Sequence, residues 1–362
     1  MTSGADLRAA REGAGLSLAQ MARRTHFTRS YLSMIETGKR PVSDEVVAVY
    51  ERVLGVPLSA PGDPVRVAHE WLLADSPAAV HTRAGRQIGT SLVEELGRRA
   101  VELRRLDDVV SSSVLLPVVA AELRRAEELV RDARFSEPVG RQLCAVLGEL
   151  AQLAGWVAGD TGRLAEAQRY YLRGVEAAQA AGDRVLGAQL ISTLSYQLAN
   201  TGKVEDAVLL ARTAVRGADG ATPVVRALLL ERVAWACAKA GDAGGALRAL
   251  DAVDDAYADR GVAEPEWVYW LDRNEIDVMA GRCLVELGRP GEAIPLLSRA
   301  LENYPEERSR EVALYLTWLA ESCARLGELD AAEEILERAG EHAARMPSAR
   351  VDVRLEELRK LL

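Results

Sequence analysis

The polar side chains with the clearest chemical use in this chain cluster near its N-terminus. Ser17 and Thr28 begin two short amphipathic segments, where a side-chain hydroxyl can cap the first turn of a helix. The cations Arg29, Lys39 and Arg40 follow within a few residues. Helix N-termini and cationic side chains are groups with which proteins hold phosphate. The pattern therefore predicts contact with a nucleic acid.

Four short amphipathic helices must position these groups. Ser17 and Gln20 form a predicted capping box at the start of the second helix, and Gly38 follows the third helix, where a left-handed residue is favoured. The apolar residues recur at helical spacing and can close a small core; they are Leu7, Leu16, Leu18, Met21, Ala22, Phe27, Leu32, Ile35, Val46 and Leu54. This order of helices and breaks is typical of a helix-turn-helix.

Positive charge is concentrated in this N-terminal segment. Residues 1–58 contain eight Lys/Arg and six Asp/Glu, a net charge of +2, whereas the whole chain carries −9 and the remainder therefore −11. A weakly positive head suits local phosphate contact and argues against a general polyanion binder. The acidic remainder favours a cationic or neutral ligand over an anionic one.

The composition is rich in Ala, Leu, Val, Arg and Glu, which favours helices over sheets and predicts an all-α chain. The four cysteines are far apart, which favours buried thiols in a reducing compartment over a metal site. The apolar run Val109–Ala121 is interrupted and too short to span a bilayer, and no secretory leader opens the chain. We therefore expect a cytoplasmic protein with no metal site.

A repeated phrase divides the second half of the chain. The phrase GRLAEA at 162–167 recurs as variants whose final alanines lie 39 to 47 residues apart. These alanines are Ala167, Ala207, Ala246, Ala293 and Ala332. Twelve residues before and seven residues after each alanine stands a small or compact residue, as close antiparallel packing of two helices requires. A period of this length predicts stacked helical hairpins.

The small-residue pattern resembles the tetratricopeptide repeat, although its spacing exceeds that family's usual length of about 34 residues. We therefore expect an all-α fold in which a helix-turn-helix domain of four to five helices precedes a right-handed superhelix of tetratricopeptide-like hairpins. The predicted boundaries are a DNA-binding domain at 1–58, a linker at 59–64, an irregular helical region or degenerate repeats at 65–135, about five repeats at 136–350 and a capping helix at 351–362.

The N-terminal segment resembles the XRE (Cro/C1-type) helix-turn-helix family across residues 6–57, through LRAAREGAGLS, LAQMARRT and TRSYLSMIETGKRP. The resemblance implies that the third helix enters the major groove of double-stranded DNA. It implies base contacts by Arg29, Ser30, Tyr31, Ser33 and Met34, phosphate contacts by Ser17, Thr28, Lys39 and Arg40, and a structural pair of Arg11 with Glu36. Arg29 dominates the predicted sequence preference, because a guanidinium can pair with guanine through two hydrogen bonds.

One position departs from this family. Leu18 stands where the family commonly has glutamine, and leucine cannot donate a hydrogen bond to a phosphate. One positioning contact is therefore expected to be missing. The alternative to DNA binding is a degenerate head that contacts protein instead.

The repeats predict a concave groove. In the tetratricopeptide family, two columns on the first helix of each hairpin face that groove, and here they supply three successive aromatics that suit an apolar or peptide ligand with polar anchors. The candidate groove residues are Gln152, Trp156, Ser192, Tyr196, Asn200, Glu231, Trp235 and Arg282. The alternative is that these aromatics only pack adjacent hairpins. Packing or hinge roles are also the interpretation for Tyr170, Tyr171, Trp267, Tyr269 and Trp270.

We predict no catalytic residue and no cofactor, because nucleotide-binding, hydrolase and metalloprotease motifs are lacking. The combination of head and repeats resembles regulators common in high-GC Gram-positive bacteria. It implies a homodimeric transcription regulator of double-stranded DNA whose repeats mediate dimerisation or sense a peptide or small molecule, with no membrane partner. The alternative is a repeat scaffold that holds a protein partner and uses the helix-turn-helix for docking.

Overall fold

The computed structural model describes residues 3–54, 58, 63–73, 87–305 and 308–362. These residues form eighteen α-helices, a short 3₁₀ helix and one isolated bridge, and they contain no strand. The predicted all-α class is therefore confirmed. The chain divides into two compact units, residues 1–62 and 63–362. The predicted linker lies outside the described residues up to Gly62.

The first unit contains four helices, which are α1 (Gly4–Gly13), α2 (Leu18–Arg24), α3 (Arg29–Glu36) and α4 (Asp44–Leu54). Leu7, Met21 and Tyr50 belong to its small buried core. A Cβ added to Gly4 would lie 2.1 Å from the carbonyl oxygen of Ile35. Glycine at this position therefore allows α1 to approach α3 closely enough to share that core.

The second unit begins with α5 (Pro64–Leu73), α6 (Thr90–Leu106) and α7 (Ser112–Asp132). Within the region 65–135, which was predicted to be irregular helical or to hold degenerate repeats, α6 and α7 are long and regular. The serines at 111–113 stand at the start of α7. Ser111 has an extended backbone at the N-cap, and the Oγ of Ser112 donates a 2.8 Å hydrogen bond to Asp160.

Five antiparallel hairpins follow. They are α8 (Glu137–Asp160) with α9 (Leu164–Ala181), α10 (Arg184–Asn200) with α11 (Val204–Gly217), α12 (Pro223–Lys239) with α13 (Ala243–Ala258), α14 (Arg273–Glu286) with α15 (Pro290–Glu302), and α16 (Ser309–Arg325) with α17 (Leu329–Arg345). The 3₁₀ helix Glu266–Val268 precedes α14, and α18 (Ala349–Leu361) ends the chain.

Small residues let the two helices of a hairpin approach each other. The five alanines of the repeated phrase are buried. A Cβ added to Gly155 would lie 2.3 Å from the ring of Tyr171, and one added to Gly281 would lie 2.8 Å from Leu297. These contacts are the physical origin of the small-residue columns in the sequence, because larger side chains would push the paired helices apart.

A buried ionic cluster joins the first and last hairpins. Arg310 on α16 donates hydrogen bonds of 3.1 Å to the carboxylate of Asp107, which follows α6, and its Nη1 lies 3.6 Å from Asp160 at the end of α8. Asp160 also accepts hydrogen bonds from Ser348 and Arg350, of 2.7 and 2.8 Å. Burial raises the pKa of Asp160, but Arg350 and Arg310 outweigh that effect and lower it. The carboxylate therefore stays ionised and holds both ends of the row of hairpins.

Trp71 is the largest side chain that packs helix α5 against the hairpins. Trp71 lies between Gly187 on α10 and Gly217 on α11, where an added Cβ would lie 2.2 and 2.4 Å from its ring. The guanidinium of Arg184 lies 5.6 Å from the same ring. Trp71 therefore attaches α5, the first helix of the second unit, to the second hairpin. Among the described residues, no helix is both long and apolar enough to cross a membrane.

Candidate nucleic-acid interface and repeat-domain cavity

Hydroxyl caps fix the starts of α2 and α3. The Oγ of Ser17 accepts a hydrogen bond from the amide of Gln20, and the Gln20 side chain accepts one of 2.7 Å from the amide of Ser17. Thr28 accepts from the amide of Tyr31 at 3.2 Å. Gly38 has a φ of +71°, which lets the chain turn directly after α3. The two N-termini are thus ordered, and helix N-termini favour phosphate oxygens.

Five cations of this unit form no ion pair with a described carboxylate. They are Arg23, Arg24, Arg29, Lys39 and Arg40, and all five are exposed. The ion pairs of the described part of this unit involve Arg8, Arg11 and His26 instead. The positive charge of this surface is therefore available to an external anion.

The predicted base-contacting residues differ in exposure. Arg29 and Ser30 are exposed, whereas Tyr31, Ser33 and Met34 are half-buried. The ring of Tyr31 stacks on Phe27 at 5.1 Å and lies 5.4 Å from the guanidinium of Arg40. Those contacts restrain Tyr31, so Arg29 and Ser30 are the freest side chains at the start of α3.

Arg11 and Glu36 form a buried pair. Arg11 donates hydrogen bonds of 2.7 and 2.6 Å to the two carboxylate oxygens of Glu36, and Tyr50 donates a third of 2.8 Å. The hydrogen bond to Glu36 raises the pKa of Arg11, and burial raises the pKa of Tyr50. This network ties α1, α3 and α4 together. Leu18 is half-buried against the same core, which gives it a packing role where a phosphate contact is missing.

Two adjoining cavities of about 110 and 320 Å³ lie within the second unit. They share Trp156, Tyr196, Arg282 and Arg350 in their linings. The predicted groove residues that line one or both are Gln152, Trp156, Tyr196, Asn200, Trp235 and Arg282. Ser192 and Glu231 line neither cavity. Both are buried, and Ser192 donates to the carbonyl of Gln189 on its own helix.

Aromatic rings and guanidinium groups alternate along this cavity. Ring centroids lie 6.4 Å apart for Trp156 and Tyr196, 6.3 Å for Tyr196 and Trp235, and 5.7 Å for Trp235 and Trp318. The arginine–ring contacts are Arg350 over Trp156, Arg232 over Tyr196, Arg282 over Trp235 and Arg354 over Trp318, at 4.5, 4.7, 4.5 and 3.9 Å. The aromatics therefore pack against one another and line the cavity at once. Trp267, Tyr269 and Trp270 also line the smaller cavity.

The local charge of the cavity is positive, contrary to the expectation from the acidic average of the domain. No ion pair to a described carboxylate is formed by Arg232 or Arg282, although both are buried. Burial raises the pKa of the neighbouring Glu231 to about 8, so this group is mostly neutral at pH 7. Net charge summed over a domain therefore does not give the charge inside its cavity.

Among the cavity residues that were not predicted from the sequence, four take part in the arginine–ring contacts. Trp318 lies on the last hairpin, and Arg232 stands one position from the predicted column. Arg350 and Arg354 belong to α18, whose segment was interpreted only as a cap. The sequence contained one usable signal, the spacing of four between these two arginines, which places both on one face of a helix.

We expect Tyr196 to titrate near neutral pH. Burial raises its pKa, but the charges of Arg282, Arg350 and Arg232 outweigh that effect and lower it from the usual 10 to about 7. Arg282 also donates a 2.9 Å hydrogen bond to its hydroxyl oxygen. The phenolate stabilises the fold fully above pH 10, and this contribution is lost as the pH falls through about 7.

The measurement is ultraviolet absorbance of phenolate across the pH range. A transition near pH 7 should be present in the unaltered chain and absent in Tyr196→Phe. Tyr257→Phe, at a tyrosine outside both cavities, is the control and should keep the transition. Persistence of the transition in Tyr196→Phe would refute the assignment.

These features define an all-α chain with a helix-turn-helix head and a body of helical repeats. Residues 4–60 match the family model of a helix-turn-helix domain, and residues 284–351 match that of a tetratricopeptide repeat. No curated protein matches the chain. The first match indicates DNA binding and the second indicates interaction with a protein.

Proposed function

We propose that this protein is a sequence-specific transcription regulator of the XRE type, which acts in the cytoplasm as a homodimer on double-stranded DNA. The observation that carries the proposal is the exposed, unpaired Arg29 in the first turn of α3, beside the capped N-termini of α2 and α3. In a helix-turn-helix, the first turn of the recognition helix meets base edges while neighbouring cations meet phosphates. The helix-turn-helix match supports the same conclusion.

The size of the reading element supports the proposed homodimer. Helix α3 has 8 residues, so one copy reaches only a few base pairs. Two copies related by two-fold symmetry would read half-sites about 34 Å apart, one turn of the double helix. Selection of bound sites from random duplexes tests the proposal. Inverted repeats with this spacing are expected, and failure to enrich any sequence would contradict sequence-specific binding.

The proposed role of the repeat domain is to bind an effector that alters DNA binding. Helix α10 contributes Tyr196 to the cavity and Gly187 to the slot that holds Trp71. Helix α5, which carries Trp71, follows the first unit in the chain. A shift of α10 on effector binding would therefore act on the segment that leads to the DNA-binding head.

Replacing Arg29 with alanine should flatten sequence preference. A bidentate guanidinium–guanine contact contributes about 1–3 kcal/mol of discrimination, so the selected site should lose roughly 5- to 150-fold of its advantage over a site with that base pair changed. Fluorescence anisotropy with both duplexes measures the ratio. Arg8→Ala, at an exposed arginine of α1 paired with Glu12, is the control. An unchanged ratio in Arg29→Ala would rule out the base contact.

Replacing Lys39 with alanine should weaken binding to all sequences alike. A lysine that neutralises one phosphate releases about one counterion, so the slope of log affinity against log salt should become shallower by roughly 0.9. Binding titrations at several salt concentrations on selected and random duplexes measure this slope. A loss confined to the selected site would instead place Lys39 at a base.

A further inference from the structure

Hydrogen-bond donors without acceptors line the two cavities of the second unit. The Nε atoms of Arg232 and Arg282 and the indole Nε1 atoms of Trp235 and Trp318 are buried, and none has a hydrogen-bond partner among the described residues. Buried donors are nearly always paired in folded proteins, because an unpaired donor loses its hydration without compensation. These donors outnumber the unpartnered acceptors of the same linings, Gln197 Oε1 and Glu311 Oε2, so the cavities favour a ligand that supplies acceptors.

Two of these donors carry a full positive charge. Arg232 is 5% exposed and Arg282 is 7% exposed, and the described residues offer neither of them an ion pair. The nearby acids offset this charge only in part, because Tyr196, whose pKa is about 7, is only partly ionised at neutral pH. Glu231 is mostly neutral at pH 7 because burial raises its pKa, and Glu275 already accepts hydrogen bonds from Tyr304 and Tyr315. Buried cations are stabilised by an anion at short range.

The walls of the larger cavity are planar and apolar. Trp156, Trp235 and Trp318 contribute three indole rings, and the space of about 320 Å³ is at the lower end of the range for small-molecule sites. Helix α18 contributes Arg350 and Arg354 to the same lining. Because α18 lies along the groove, the remaining space fits a compact molecule better than an extended peptide.

We propose that this cavity binds a small organic anion: a planar apolar body that bears one carboxylate or phosphate group. The oxyanion would lie where the two cavities adjoin, between Arg282, which lines both, and Arg232, which lines the smaller one. Forked guanidinium groups suit both chemistries. The apolar body would lie against the indole rings, with indole N–H groups as further donors. The inference rests on the proposed role of the repeat domain as an effector site and specifies the chemistry of the effector.

Binding would change the protonation of Tyr196. The phenolate of Tyr196 is stabilised by Arg282, Arg350 and Arg232. A second anion beside those arginines would disfavour the phenolate, so Tyr196 would take up a proton from solvent as the ligand binds. Proton uptake near pH 7 is therefore a signature that nonspecific adsorption to the surface would not give.

The test is calorimetry on the full chain without DNA. The probes are N-acetyltryptophan, indoxyl phosphate, N-acetyltryptophanamide and the tetrapeptide Ala-Ala-Ala-Trp. We expect the free acid or the phosphate to bind at least about 10-fold more tightly than the amide, with proton uptake revealed by buffers of different ionisation enthalpy. The acid and the phosphate distinguish the two kinds of anion. Tighter binding of the tetrapeptide would overturn the choice of a small acid.

Arg232→Met and Arg282→Met should each weaken the preferred anion at least about 10-fold. Arg226→Met is the matched control, because Arg226 is exposed on the same helix as Arg232. Equal affinity for acid and amide in the unaltered chain, or no binding of any probe up to about 10 mM, would overturn the inference without depending on how the variants fold. If the chain prefers the anion but binds no DNA, the inference about the ligand is supported and the proposed function as a transcription regulator is wrong.

Discussion

Replacing Arg310 with methionine is expected to lower the free energy of unfolding of the repeat unit by about 3–5 kcal/mol, as for other buried ion pairs that lose one partner. Arg310 is 2% exposed and contacts Asp107, Asp160 and Ser112. Methionine fills part of the volume but leaves the carboxylate of Asp107 buried without its guanidinium. The loss includes the attachment of α16 to the segment that follows α6.

Urea unfolding followed by tryptophan fluorescence measures this effect, because all six tryptophans belong to the second unit. Arg173→Met is the control. Arg173 pairs with Glu127 across α7 and α9, but its side chain is 54% exposed, and exposed pairs contribute about 0–1 kcal/mol. Equal losses of unfolding free energy in the two variants would show that Arg310 acts through packing alone. An unchanged unfolding free energy in Arg310→Met would show that the ionic cluster does not stabilise the fold.

Local rules predicted the first unit well because its determinants are close in sequence. The Ser17 and Gln20 capping box, the Thr28 cap and the left-handed Gly38 each depend on a few neighbouring residues. The hairpins were predictable for a related reason. Their small residues recur along the chain because each hairpin has a close helix contact, such as those at Gly155 and Gly281, where a larger side chain would not fit.

Contacts between distant residues were not predictable in this way. Arg310 meets Asp107 across 203 positions, and Arg350 meets Asp160 across 190. No local pattern links the partners, because their pairing depends on how many hairpins intervene and how each turns relative to the next. The positive cavity was missed for the same reason. Arg232 lies on α12 of the third hairpin and Arg350 lies on the terminal helix α18. The two residues come together only in the folded unit.

The charge of the cavity differs in sign from the net charge of the second unit. Many acidic side chains of the second unit lie on exposed helix faces, and buried ones such as Asp107 and Asp160 are paired with arginines. Arg232 and Arg282 are buried among aromatic rings without such a partner in the described residues. A guanidinium suits such a site because its flat face stacks on a ring while its edge remains a donor. Sequence-level charge is therefore a guide to the outer surface and not to the cavity.

The second large effect is expected in the DNA-binding unit, from Glu36→Ala. Arg11 is 5% exposed and has Glu36 as its main partner, so truncation leaves a buried cation and should cost about 3–5 kcal/mol. A unit of this size has a total stability of order 5 kcal/mol. Much of the population should therefore unfold locally, and DNA affinity should fall with it.

Hydrogen exchange measured by mass spectrometry on peptides from α1–α4 reports this unfolding, since the unit has no tryptophan. The informative comparison is the triple variant Arg11→Met, Glu36→Leu and Tyr50→Phe, which replaces the polar network with apolar groups of similar volume. Such replacements can preserve stability, so slow exchange and DNA affinity should both return. Fast exchange in the triple variant would mean that the hydrogen bonds themselves hold α1, α3 and α4. Slow exchange in Glu36→Ala would mean that the pair contributes little, and that the apolar contacts around Leu7 and Met21 suffice to hold the head together.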